Sequence, residues 1–563
     1  MASRRDFLQY SAVLASIFAG SSLPAVSSPK NLNMNDLLKF NSKGQVTLLH
    51  LTDIHGQLNP VYFRPPSENY GVGDFEGIPP HLVGEDFLSY FAIKKNTPLA
   101  YAHTMVDYVS LAKEYGKLGG LDRTASIVKS IRQERGDDKV LLLDGGDTWQ
   151  GSYTSLKTQG MDMVETMRLL KPEAMVGHWE FTLGKSRLKE LINAMDCPFL
   201  GGNVFDTEWE EQVFESTTFI ERGGVNIAVI GQHFPYTSIA NPRYLVDGWS
   251  FGIRAEHLQK NVIKAREGGA EVVVLLSHNG FDVDQKIASM IEGIDVILTG
   301  HTHDAIPEAI RIKNTLILSS GSHGKYLGRI DLKVKNGRVV DSSSSLIPIF
   351  SDFIDSDEQM LKKIKEVRAP YELECNRVIG KADTLLYRRG NFNGTWDDVI
   401  CDAIIQERDC EIALSPGFRW GTTLLPSQDI TIDDLYCQTA MNYPEVYKTE
   451  MSGLMIKNLL EDVCDNIFNI DPFFQQGGDM VRVGGLSYSC NPKGKIGDRI
   501  KDLYLIRNGK EIENSKKYIV SGWGSVNENV EGPPVYSLLE KYITEKKLIK
   551  PKNPGSVKVL GMK

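Results

Sequence analysis

The chain has no CxxC pair, no histidine beyond His323, no internal repeat and no low-complexity tract. The missing CxxC excludes a zinc knuckle and a thioredoxin-type redox motif. The seven cysteines (Cys197, Cys375, Cys401, Cys410, Cys437, Cys464 and Cys490) are an odd number, so at least one stays a free thiol or bonds to another molecule. Their spacing leaves the pairing open. Basic runs with interleaved aromatics are also absent, and a formal charge of -9 opposes sequence-independent binding to phosphates, which excludes nucleic acid as a partner. Beyond the N-terminus no apolar stretch reaches the roughly 20 residues that a spanning helix needs. The 41% hydrophobic and 24% charged content is that of a globular chain, and 563 residues exceed one core, so two domains are expected.

The N-terminus reads as an address. Ser3-Arg-Arg-Asp-Phe-Leu8, an apolar stretch over 10–20 and small residues near Ala25 make a twin-arginine export signal over residues 1–28. Its apolar run is too short to span a membrane easily, and the expected destination is a bacterial periplasm.

What the chain does have is a set of short apolar runs that end in metal-type residues. Val46–Leu51 is followed by Asp53 and His55, 140–143 by Gly-Gly-Asp147, 174–176 by Gly-His178, 272–276 by Ser-His278, and 296–298 by Thr-Gly-His301-Thr-His303. Short apolar runs beside helical patterns predict buried strands, and in α/β sheets ligands bind beyond the strands' carboxyl ends. Five strands therefore deliver seven candidate ligands to one edge. The alternation over 42–354, with helices predicted at 103–115, 120–135, 160–170, 185–195 and Ala255–Glu267, argues for an α/β layered domain. The Pro- and Gly-rich stretch 60–102 directly follows His55 and is expected to wall the site. A charged linker helix over 355–376 then leads to a smaller α+β domain over 377–563, which holds six of the seven cysteines if Cys375 is counted at its border.

Carboxylates and imidazoles without thiolates suit Mn, Fe, Zn or Co. Seven ligands with one bridging aspartate match two ions about 3.5–4 Å apart, and Asp147 is the best candidate for the bridge because its Gly-Gly predecessor permits close backbone approach. His50, His81, His103, His233 and His257 are read as structural or solvated, and Asp304 as a turn or cap residue.

The series Asp53-x-His55, Gly-Gly-Asp147, Gly177-His178-Trp-Glu-Phe181, Ser277-His278-Asn-Gly280, Gly300-His301-Thr-His303 and Gly324-Lys-Tyr-Leu-Gly328 resembles the binuclear metallophosphoesterases of the 5'-nucleotidase family. Leu414-Ser-Pro-Gly-Phe-Arg419 resembles that family's substrate segment, so the likeness runs through both domains. It implies sheet layers flanked by helices, then a smaller α+β nucleotidase-type domain. It further implies that Asp53, His55, Asp147 and His303 hold one ion and Asp147, His178, His278 and His301 the other.

One departure narrows the reading. Nucleotidases carry Gly-Asn-His-Glu, whose histidine acts near the leaving group; here His178 and Trp179 take the places of the asparagine and that histidine. Indole cannot act as a general acid. An alkoxide leaving group needs protonation, whereas a persulfide can leave as an anion, so the change points to sulfur. With Arg419-Trp-Gly-Thr-Thr423 and the Gly477–Gly485 segment, the chain is similar to the SoxB-type thiosulfohydrolase branch of this family. That likeness implies two manganese ions activating a water, release of sulfate, and as partner the SoxYZ carrier with its cysteine S-thiosulfonate arm. The candidate catalytic residues are Asp147, His178, Trp179 and Arg419, the candidate sulfonate contacts Arg419, Arg482, Asn203 and Trp179, and the expected state is a monomer without membrane insertion. A periplasmic 5'-nucleotidase or cyclic phosphodiesterase, and a non-catalytic carrier-binding protein, stay open as alternatives.

Overall fold

The ligand-bearing runs are apolar at consecutive positions because they are buried on both faces. In the computed structural model, which describes residues 39–562 except Glu528, they do form strands. The predicted export signal lies outside the described residues. Strands β1 (Val46–Leu51), β2 (Val140–Asp144) and β3 (Ala174–Met175) run parallel in one sheet. A second sheet takes β4 (Thr217–Arg222), β5 (Val225–Gln232), β6 (Val272–Ser277), β7 (Val296–Thr299), β8 (Ile310–Ile312) and β9 (Thr315–Ser319), in the order β8-β9-β7-β6-β5-β4. The chain then returns to the first sheet as the hairpin β10 (Tyr326–Lys335) and β11 (Arg338–Pro348), with β10 antiparallel to β1.

The two sheets face each other. Leu48, Leu141 and Leu143 of the first meet Val229, Val274, Leu276 and Leu298 of the second in one buried cluster. Because side chains alternate along a strand, Leu49, Leu51 and Leu142 point the other way, onto helices Leu121–Arg135 and Met161–Leu170. Val273, Leu275 and Ile297 point likewise onto helices Ala255–Glu267 and Phe281–Met290. The result is helix, sheet, sheet, helix. The expectation of a single ligand-bearing edge is corrected accordingly: three of the five strands belong to one sheet and two to the other, and their carboxyl ends meet. The hydrophobic pattern gives burial but carries no label for the sheet a strand joins.

The helix expected at 103–115 is two, Pro98–His103 and Tyr108–Tyr115. Thr104 between them is extended, and Asp107 takes a left-handed φ of 51°. The charged stretch after residue 354 folds as Glu358–Arg368 and Glu372–Cys375. Met360 and Ile364 pack into the first half's core while Cys375 packs into the second's.

In the second half, β12 (Ile412–Ser415), β13 (Tyr447–Ser452), β14 (Arg482–Gly484) and β15 (Lys517–Gly522) form a sheet in the order β13-β15-β12-β14. Its core is not separate from the first half: Tyr153 and Trp179 lie in one cluster with Trp396 and Trp420. Polar contacts also cross, from Asn442 to the Thr182 carbonyl (2.9 Å), from the Gly421 N–H to His323 Nε2 (3.1 Å) and from the Thr423 N–H to the Tyr62 carbonyl (2.8 Å). No helix among the described residues is long and apolar enough to cross a membrane.

Candidate metal centre

The loops after the strands are tied to one another before any side chain is considered. The Asp53 N–H donates to the Gly146 carbonyl (2.8 Å), His55 N–H to Asp147 (2.8 Å) and His323 N–H to Asp53 (2.8 Å). Asp53, His55, Asp147, His301 and His303 all have φ between 50° and 74°. Such conformations are unfavourable for residues with a Cβ and persist where the surroundings impose them, commonly at functional sites.

All seven candidate ligands come together. Asp53, His55, Asp147 and His303 form one group and Asp147, His178, His278 and His301 the other, each with its ligand atoms within 4.8 Å of one another. Asp147 belongs to both. Its Oδ2 lies 3.1 Å from His278 Nε2, 3.3 Å from His178 Nδ1 and 3.7 Å from His55 Nε2, and its Oδ1 accepts the Trp179 N–H at 2.7 Å.

The chemistry of these donors fits cations. His55 Nδ1 donates to the Gln150 carbonyl (3.3 Å) and His303 Nδ1 to the Arg419 carbonyl (3.2 Å), because a carbonyl oxygen only accepts. Both rings, when neutral, then carry a lone pair on Nε2, yet those two atoms are 3.1 Å apart. His278 is alike: Nδ1 donates to the Gly145 carbonyl (2.6 Å), so a neutral ring turns a lone pair towards the Asp147 carboxylate. Opposed lone pairs and carboxylates need positive charge among them. Burial lowers the His278 imidazole, but Asp147 and Asp53 raise it to about 10, the same demand expressed as proton affinity.

Sequence reasoning missed what holds Asp147 in place. The buried Glu180 carboxylate accepts the backbone N–H groups of Asp147 (3.2 Å), Thr148 (2.6 Å), Trp149 (3.2 Å) and His178 (2.8 Å). It gathers two ligand-bearing loops onto one side chain. Its position three residues into the Gly177–Phe181 motif was the available signal. Phe234, also unremarked, stacks on His301 with centroids 4.1 Å apart and lies against His178 at 4.2 Å.

The other site expectations divide. Arg419 lines a cleft with His301, its Nε donating to Asp479 (3.1 Å) and one terminal nitrogen to the Thr302 carbonyl (3.0 Å). Arg482 lies behind it, bound to Asp479 (3.2 Å), Asp397 (3.3 Å) and the Gly390 carbonyl (2.6 Å). Its contacts make it a brace for Asp479 rather than a wall of the cleft. Asn203 is corrected on the same ground: both its amide N–H groups go to the His233 (2.8 Å) and Gly252 (3.0 Å) carbonyls, and its oxygen accepts the His233 N–H (2.9 Å). Arg389, which no sequence motif marks, also donates to the Thr302 carbonyl (3.2 Å) and pairs with Asp479 (3.4 Å).

Trp179 is buried, its indole edge-on to Phe418 at 5.1 Å. Asp304, expected as a turn residue, is buried, accepting from Asn69 (3.1 Å) and lying 3.8 Å from Arg389. The 60–102 stretch contributes Asn69, Tyr70, Pro80 and His81 to the cleft wall, with His81 paired to Asp282 at 2.9 Å. His50 bonds Ser320 (2.8 Å), and His233 accepts the Gly177 N–H (2.8 Å), as structural histidines do.

Comparison with known proteins agrees with this geometry. The family described as "5'-nucleotidase, C-terminal domain" matches residues 378–532. Protein 5NUC of Lutzomyia longipalpis is 23% identical over 510 residues, covering 79% of this chain and 87% of that one. The structure of a 5'-nucleotidase precursor from Thermus thermophilus superposes with a TM-score of 0.72 at 18% identity, covering 92% of this chain and all of the other, a likeness of fold. The structure of Thermus thermophilus sulfate thiohydrolase SoxB superposes with a TM-score of 0.90 at 35% identity, over 93% of this chain and 98% of that one.

Sandwiched sheets, a nucleotidase-type second domain and two ligand groups sharing one carboxylate define a metallophosphoesterase-type hydrolase of the 5'-nucleotidase superfamily. Within that superfamily the chain belongs to the SoxB family.

Proposed function

We propose that this chain is a periplasmic thiosulfohydrolase that cleaves the terminal S–S bond of a cysteine S-thiosulfonate borne by the SoxYZ carrier. Water adds to the sulfonate sulfur, the bond to the neighbouring sulfur breaks, and its electron pair leaves with the carrier as a persulfide; sulfate and two protons are the other products. The observation that carries the reading is Trp179. It follows His178 directly, its backbone N–H fixes Asp147, and its indole packs against Phe418, so the position holds an aromatic ring in place of a proton donor. A low-pKa sulfur leaving group has no need of one.

Bound at the two ligand groups, a pair of divalent ions, of which manganese fits the oxygen and imidazole donors, would lower the pKa of a water and neutralise charge on the sulfonate oxygens. The chain's own residues do the rest. Asp147, held by Trp179 and Glu180, fixes the spacing of the two groups. Arg419 keeps N–H groups beyond those given to Asp479 and Thr302, and a guanidinium matches two oxygens of a sulfonate. The 60–102 stretch and the second domain close the cleft around the reacting group.

The nucleotidase alternative draws on the family match and needs an aromatic face for a base. Phe418 is already stacked on Trp420 at 4.9 Å and met by Trp179 and Trp523, which counts against it. Trp179→His tests the leaving-group argument. With metal content unchanged, the variant is expected to gain about 10²- to 10⁴-fold in phosphomonoester hydrolysis, the scale of one general acid. Efficient cleavage of nucleotides by the wild type would contradict the reading.

A further inference from the structure

Two of the candidate ligands lie on one short turn, His301-Thr302-His303, and belong to different ion groups. A metal-binding imidazole has to present one nitrogen and commit the other, and the hydrogen bond made by the second nitrogen sets both tautomer and ring angle. His55 and His278 make that bond to carbonyls of the first half, Gln150 and Gly145. His301 and His303 do not.

His301 Nε2 donates to the Gln476 carbonyl (3.1 Å) and His303 Nδ1 to the Arg419 carbonyl (3.2 Å). Both carbonyls come from the second half of the chain. Thr302 between the two histidines is gripped from the same side, its carbonyl accepting from Arg419 (3.0 Å) and Arg389 (3.2 Å). The gripping loops are themselves joined: Asp479 pairs with Arg419 and Arg389, and its N–H donates to the Gly417 carbonyl (2.8 Å). The Gln476 N–H is anchored on the Asn466 carbonyl (2.7 Å). Gly477 lets the loop approach: its φ is 73°, and a Cβ there would fall 2.3 Å from His301 Nε2.

We infer that the second domain completes the metal centre, with the Gln476–Gly477 and Arg419 backbone acting as positioning elements that set one histidine in each ion group. Metal occupancy and closure of the two domains are then linked, and the linkage is reciprocal: closure raises metal affinity and bound metal favours closure. The inference rests on the dimetal reading and is independent of the substrate.

Gly477→Ala and Gly478→Ala separate the contact from backbone strain. Gly478 has an equally left-handed φ of 77°, but the nearest atom to an added Cβ is the Gly417 carbonyl oxygen at 3.5 Å. Manganese is titrated into the chelator-stripped full chain with binding read directly. Wild type is expected to bind two ions. Gly477→Ala is expected to weaken the ion of the His301 group by about 10- to 100-fold, the usual effect of losing such an outer partner, and to leave the other ion in place. Gly478→Ala is expected to stay within about threefold of wild type, since it adds strain alone. Equal losses in the two variants, or an unchanged Gly477→Ala, would overturn the inference; a wild type that binds no ions would instead overturn the dimetal reading.

Hydrogen exchange on the wild type gives a second measurement that needs no variant. Manganese is expected to raise protection at 417–421 and 475–480 as well as in the histidine loops. Protection confined to residues before 376 would overturn the linkage.

Discussion

An Asp147→Asn variant is expected to hold at most one ion per chain and to lose at least about 10³-fold in turnover, more than the 10- to 100-fold typical of outer partners. Asp147 is the one residue common to both ligand groups, facing His278, His178 and His55 with a single carboxylate oxygen. An amide in that place carries no charge to offset two cations. Asparagine tolerates the left-handed backbone that position 147 adopts, at φ 54°, so the loop keeps its course and the loss is assignable to the ligand. Metal per chain and turnover are measured on the same preparation. Two ions retained with near-wild-type turnover would remove Asp147 from the bridging position.

The second large effect is on stability. Asp479→Ala leaves Arg389, Arg419 and Arg482 without the buried carboxylate they share, at 3.4, 3.1 and 3.2 Å. Stranding a buried charge costs about 3–5 kcal/mol. The midpoint of thermal unfolding of the chain, whose two halves share a core, is expected to fall by roughly 3–5 °C.

The pH dependence carries a sign. Burial pushes the Asp479 carboxyl up, but Arg419, Arg389 and Arg482 outweigh it and hold the group below the ordinary carboxylate range. A depressed folded value means that the stabilisation is full above about pH 4 and disappears as pH falls through the depressed value. The gap in unfolding midpoint between wild type and variant should therefore be constant from about pH 7 to about 5 and close at lower pH. A gap that widened on acidification would contradict the assignment.

The parts of the site legible in the sequence are those carried by side-chain type and strand position. Val46–Leu51 and its four counterparts ended in Asp or His, and the structure brings all seven of those residues together. Less legible was anything made by the backbone. The carbonyls of Gln150, Gly145, Arg419 and Gln476 that orient four histidines have no residue signature, because every residue carries one. Glu180 was visible as a letter in its motif, but its four N–H partners appear only once two loops are folded against each other.

Arginines were legible as a type and ambiguous in place. Arg482 and Arg389 are equally basic in sequence, and only packing sets the first behind Asp479 and the second on the Thr302 carbonyl. The first sheet is completed by β10, which pairs with β1 across 284 residues of chain at Thr47 and Asp331. Local pattern carries no such long-range partner.

Hydrolysis of a sulfur-linked sulfonate at this centre can be read directly. The direct measurement is sulfate release from SoxYZ loaded with thiosulfonate, run beside phosphate release from AMP with the same manganese-reconstituted protein. Sulfate with little or no phosphate is expected, with loss of the sulfate signal in Asp147→Asn. Phosphate without sulfate would contradict it and return the chain to nucleotide chemistry.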